Sequence, residues 1–114
     1  MAVSASVQLP DGRSLALDEH GYLTDWTAWD GAVAEALARV DGMELTEAHW
    51  QVIELLRDYY RQYEIAPPMR ALVGALKRRR PDLASSRVLY RLFPEGPARQ
   101  ASRYAGLPIP VSCI

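Results

Sequence analysis

The one side chain here with unmistakable nucleophilic chemistry is Cys113, the only cysteine in 114 residues. Its thiolate form attacks electrophiles; the neutral thiol does so poorly. A solitary cysteine cannot close an internal disulfide, and a free thiol fits a reducing cytoplasm. It sits one residue from the end of Ala105-Gly106-Leu107-Pro108-Ile109-Pro110-Val111-Ser112-Cys113-Ile114. On composition alone, the plainer reading is a leftover thiol in a frayed terminus.

The other reactive residue types form no constellation. His20 falls in a turn and His49 in the first turn of a helix, and two histidines beside one cysteine spell no metal site. His49 reads as a capping or packing residue. No glycine-rich phosphate loop is present, no serine sits in a nucleophile elbow, and no carboxylate pair suggests acid–base work. No cofactor is called for. Lys77-Arg78-Arg79-Arg80 is a basic cluster. It ends a helix, where cations complement the dipole, so it is weak support for DNA binding and fits tRNA phosphates or an acidic protein equally.

The elements that must present Cys113 read as one domain. Asp11-Gly12 between two period-two runs predicts a β-hairpin over about Val3–Leu17. Asp25 or Thr27 is positioned to cap a first helix that buries Trp29, Val33, Ala36, Leu37 and Val40 and stops at Asp41-Gly42. Thr46 caps a second, with Trp50, Ile53, Leu56, Tyr60 and Tyr63 as its stripe to about Glu64. Pro67-Pro68 opens a third, with Met69, Leu72, Val73 and Leu76 inward, and Pro81 stops it. Ser85 or Ser86 starts a fourth, with Val88, Leu89 and Leu92 inward, and Ala98 to about Tyr104 forms a fifth, which Gly106 ends. Pro108 and Pro110 then favour an extended, stiff tail. The expected architecture is mainly α: a small helical bundle with a helix-turn-helix-like core, an N-terminal β-hairpin and an extended C-terminal arm. Residues 1–104 form the body and 105–114 a flexible arm carrying the reactive cysteine.

Composition bounds the function. A net charge of −1 gives no overall drive toward nucleic acid or anionic membrane. No apolar run approaches the roughly 20 residues of a membrane span, and the N-terminus does not read as a signal peptide.

Leu92-Phe93-Pro94-Glu95-Gly96-Pro97-Ala98, followed by Ala105-Gly106-Leu107-Pro108-x-Pro110-x-x-Cys113-x, resembles the C-terminal signature of the DsrC/TusE family. Gly21-Tyr22-Leu23, Trp29, Ala34 through Ala38, Leu45-Thr46-x-x-His49-Trp50, Arg57, Tyr60, Pro67-x-x-Arg70 and Leu89-Tyr90 match in order. The resemblance implies a sulfurtransferase acting as a persulfide carrier. Cys113 would take sulfur from a donor complex of the TusBCD/DsrEFH type and pass it to an MnmA-type thiouridylase, for 2-thiouridine at the tRNA wobble position. The DsrC branch instead works with dissimilatory sulfite reductase through two arm cysteines, the second lying eleven residues before the penultimate one. That position is Ser102 here, which favours the one-cysteine carrier. A non-catalytic regulator binding DNA or protein is the remaining alternative.

Within that reading, Gly106, Leu107, Pro108 and Pro110 shape the arm. The carboxylate of Ile114 raises the pKa of the neighbouring thiol, and Ile109, Val111 and Ser112 bring no positive charge to offset it. Activation is therefore expected from Arg70, Arg99 and Arg103 of the body, or from the partner.

Overall fold

A computed structural model describes residues 5–110. Cys113 and the last three arm residues around it, Val111, Ser112 and Ile114, lie outside the described residues.

Period-two alternation at the start gives β1 (Ala5–Gln8) and β2 (Ser14–Leu17), paired antiparallel with Val7 opposite Leu15. Val7 and Leu9 are buried, so the hairpin's apolar face rests on the helical body. Five helices follow: α1 (Gly31–Val40), α2 (Glu47–Tyr63), α3 (Met69–Arg79), α4 (Ser86–Leu92) and α5 (Pro97–Tyr104). The protein is thus mainly α with an N-terminal hairpin, as its sequence predicts.

The first helix begins later than expected. Asp25 caps only a single 3-10 turn over Trp26–Ala28, and Asp30 is the true cap of α1, its carboxylate accepting from the backbone N–H of Ala32 and Val33. Trp29 therefore lies between these two elements rather than on the helix. Val40, expected inward, is 75% exposed, and Tyr63 is exposed as well. Both occupy the last residue of a helix, where the body no longer covers the apolar stripe.

His49 does cap. Its Nδ1 accepts from the backbone N–H of Thr46 at 3.0 Å, and its Nε2 lies 2.8 Å from the carbonyl of Leu92. A carbonyl only accepts, so the proton is on Nε2 and the imidazole joins the start of α2 to the end of α4.

The short helix α5 lies at the centre rather than at the edge. α5 packs against each of α1, α2, α3 and α4. Ala98, Ala101 and Ala105 let neighbouring backbones approach, while Tyr104 fills the centre beside Phe93, with 6.1 Å between ring centroids. Leu37, Ile53, Leu56, Leu72, Leu76 and Leu89 close around them, all buried. Whatever leaves the C-terminal end of α5 therefore starts from the middle of the core.

Candidate functional site

The arm is rooted by a complete helix stop. The N–H of Leu107 donates to the carbonyl of Ser102 at 3.0 Å, and that of Gly106 to Arg103 at 3.1 Å. This pairing is a Schellman motif, with Gly106 in the left-handed conformation at φ +72°. Leu107, the residue after the glycine, is fully buried. Of the residues expected to form a free arm, Ala105, Gly106 and Leu107 are thus integral to the core. Among the described residues, Pro108 is the first of the arm to be exposed.

Two side chains from distant elements hold the same end. Trp29 donates its indole N–H to the carbonyl of Tyr104 at 2.8 Å, and Arg57 of α2 donates to the carbonyl of Ala105 at 2.9 Å. Helix-terminal carbonyls lack partners within the helix, so these bonds complete the cap. Arg57 also donates to the carbonyl of Trp26 at 3.1 Å, and its guanidinium carbon lies 4.2 Å from the Trp29 ring centroid and 5.2 Å from that of Trp26. Burial pulls the Arg57 pKa below its ordinary value, with Arg61 adding a smaller push in the same direction. Carbonyl dipoles and indole faces, rather than a carboxylate, receive this buried charge.

Asp41 organises the opposite side of α5. It forms a two-pronged ion pair with Arg103, at 3.0 and 3.1 Å, and accepts from the Tyr104 hydroxyl at 2.6 Å. Gln100 donates to that hydroxyl at 2.9 Å. Burial first, then the bond to the Asp41 carboxylate, pushes the Tyr104 phenol well above the usual tyrosine range.

Beside this network, Arg99 and Arg103 face a cavity of about 240 Å³ that Ile109 of the arm also lines. His20, Tyr22, Glu95 and Gln100 complete its lining. Of the three arginines expected to serve the thiol, Arg99 and Arg103 are thus brought together with the arm. Arg70 stands exposed on the first turn of α3 and does not line that cavity. Arg103 is paired with Asp41 beside that cavity.

Ser102, on the inner face of α5, is fully buried, and its hydroxyl has no hydrogen-bond partner among the described residues. Such surroundings suit a thiol or a methyl better than a hydroxyl. Among the described residues, no group of three His, Cys, Asp or Glu side chains could hold a metal.

Sequence reasoning missed what anchors the chain where it leaves α5. Trp29 read as a core residue and Arg57 as a motif letter; their partner carbonyls lie 75 and 48 residues away. The indole N–H was the available signal, because a buried tryptophan needs an acceptor.

A mainly helical body with an N-terminal hairpin, whose central helix stops in a glycine cap with Leu107 buried behind it, defines the architectural class. The chain belongs to the DsrC-like protein family, whose model matches residues 10–114. It is 47% identical over 105 residues to a protein of Pectobacterium atrosepticum named Sulfurtransferase TusE, covering 91% of this chain and 96% of that one. The protein of the same name from Salmonella typhimurium is 43% identical with the same coverage. Among solved structures, Allochromatium vinosum DsrC superposes with a TM-score of 0.89 at 43% identity, covering 98% of this chain and all of that one. The oxidized gamma-subunit of dissimilatory sulfite reductase (DsrC) from Archaeoglobus fulgidus gives 0.82 at 46% identity, covering 96% and 100%.

Proposed function

We propose that the protein is a sulfur-relay carrier in tRNA wobble 2-thiouridine synthesis, with Cys113 as its sulfur-bearing residue. The thiolate of Cys113 attacks the outer sulfur of a persulfide on a donor complex of the TusBCD/DsrEFH type. The donor's S–S bond breaks, the donor cysteine leaves as a thiolate, and the persulfide now belongs to Cys113. A cysteine thiolate of the thiouridylase acceptor attacks the outer sulfur in turn and regenerates Cys113. Each step is an exchange, so no external oxidant or reductant is needed.

The observation that carries this reading is the close match to relatives named sulfurtransferase over 91% of the chain. That match joins a chain with a single cysteine at its penultimate position. The rooted arm supports it: roughly 3.3 Å per extended residue gives Cys113 about 20 Å of reach beyond Leu107. Likeness to the gamma-subunit of dissimilatory sulfite reductase favours a second reading as a sulfite reductase partner. Ser102 counts against the two-cysteine form of that cycle.

Incubation with a cysteine desulfurase and the relay proteins, followed by intact mass, tests the proposal. The expected result is a gain of one sulfur atom that is absent from Cys113→Ser. Retained transfer after deletion of Cys113 and Ile114 would disprove the carrier role.

A further inference from the structure

One basic stretch of the sequence takes no part in presenting the thiol. Lys77, Arg78 and Arg79 form the last turn of α3. Arg79 pairs with Asp58 at 2.6 Å, and the next residue, Arg80, pairs with Glu47 and Asp82. Arg78 is exposed and has no ionic partner among the described residues. The helix dipole accounts for cations at this end of α3, but not for the side chains that stand beside them.

Arg78 and Arg79 line a groove of about 240 Å³ between α3 and α2. From α2, Tyr59, Gln62 and Tyr63 line the same groove. The two tyrosines are one helical turn apart, with ring centroids separated by 4.5 Å and planes inclined at 48°. Tyr63 ends α2 and is 53% exposed, outside the hydrophobic core. Asp58 also lines the groove, and it is paired with both Arg61 and Arg79. One carboxylate thus stands against three guanidinium groups, so the local field is positive in a chain whose net charge is −1.

We infer that this groove binds single-stranded RNA, with an unpaired base laid on the Tyr63 ring and the adjoining phosphate held by Arg78. The choice of RNA rests on the relay reading, whose acceptor modifies tRNA. Recognition of single strands combines aromatic rings, on which bases stack, with arginines that follow the backbone, and the groove joins those two features. Gln62 offers both a donor and an acceptor to a base edge. Duplex DNA keeps its base faces inside the stack, so it would meet the cations and not the ring. An acidic peptide would pair with the arginines and likewise leave the tyrosine ring uncovered. Binding here keeps the carrier beside the RNA while the arm delivers sulfur to the acceptor.

The test uses full-length Cys113→Ser, so no covalent transfer enters the measurement. Fluorescence anisotropy reads its binding to a labelled anticodon stem-loop RNA at 50 and 300 mM salt. A fully paired RNA duplex of the same length is the second probe, and a polyglutamate peptide is the competitor. Tyr63→Ala, Tyr63→Phe and Arg78→Gln are measured beside the parent. Both positions are exposed, and thermal melting verifies folding. The expected result is binding of the stem-loop in preference to the duplex, weakened at least fivefold by Tyr63→Ala and restored by Tyr63→Phe, which keeps the ring. Arg78→Gln should weaken binding at low salt and flatten its salt dependence. Absence of binding, equal binding of loop and duplex, or an unchanged affinity in folded Tyr63→Ala would overturn the proposal. So would displacement of the RNA by polyglutamate at equal concentration, which would assign the groove to an acidic protein instead. Intact-mass loading of the Cys113 protein is run in parallel. Loading without RNA binding overturns this inference alone, whereas RNA binding without loading removes the relay reading and leaves the groove an RNA site.

Discussion

A Cβ placed on Gly106 would sit 2.5 Å from Cδ1 of Trp29, closer than two carbons can lie. The backbone at Gly106 passes close to the Trp29 side chain, while the same indole holds the carbonyl of Tyr104. Glycine is required here twice, for its positive φ and for the space.

Gly106→Ala should therefore cost more than backbone strain. The left-handed conformation alone costs about 1 kcal/mol for alanine, and displacing the indole adds roughly 1–3 kcal/mol. Gly42 supplies the control, since it has the same φ of +72° and nothing within 4 Å of its added Cβ. Urea denaturation should show a loss of about 1 kcal/mol for Gly42→Ala and roughly 3 kcal/mol for Gly106→Ala. Equal losses would mean that the Trp29 contact does not constrain the arm root.

Ser102→Ala should stabilise the protein. The buried hydroxyl has no partner among the described residues, and alanine is the better helix former. A gain of about 1 kcal/mol, or a few degrees in Tm, is expected. A loss of similar size would mean that the hydroxyl is bonded.

Alkaline pH should unfold the protein through Tyr104. Its phenol is raised above the ordinary value of 10 in the folded state, so the folded chain holds that proton more tightly than the unfolded one. This contribution is fully present below about pH 10 and fades above it, by up to roughly 1.4 kcal/mol per pH unit. Tyr104→Phe should be less stable at pH 8, having lost the bond to Asp41, yet show a shallower decline between pH 10 and 11. Parallel pH profiles of the urea midpoint would refute the role of Tyr104.

Local rules carried the fold a long way and then stopped at a definite point. Asp11-Gly12, Thr46 and Ala105-Gly106-Leu107 each act through neighbours in sequence, and the hairpin, the cap of α2 and the glycine stop all read correctly. Asp25 and Thr27 were expected to cap the first helix, yet Asp30 starts it, because several competent caps lie close together and only packing decides among them. Trp29, Arg57 and Asp41 act across 48 to 75 residues, on α5 carbonyls or on the side chains of Arg103 and Tyr104. No periodicity announces such pairs. The groove at Tyr63 was invisible because α2 and α3 contribute to it separately.

The three arginines proposed for the thiol should separate by measurement. Arg103 is tied to Asp41 on both guanidinium nitrogens, so its replacement removes stability more than it removes field. Arg70 lies on α3 and does not line the cavity that Ile109 lines. Arg99 shares that cavity with Ile109, four residues before Cys113, a span of about 13 Å when extended. Alkylation of Cys113 by iodoacetamide between pH 6 and 10 reads the thiol pKa directly. Arg99→Gln should raise it by about half a unit, a roughly threefold loss of thiolate at pH 7. Arg70→Gln should leave the titration where it was, and Arg103→Gln should lower the melting temperature with little change in the thiol. If the parent protein already titrates well below pH 8 and Arg99→Gln does not move it, the body's arginines are not what makes the cysteine reactive.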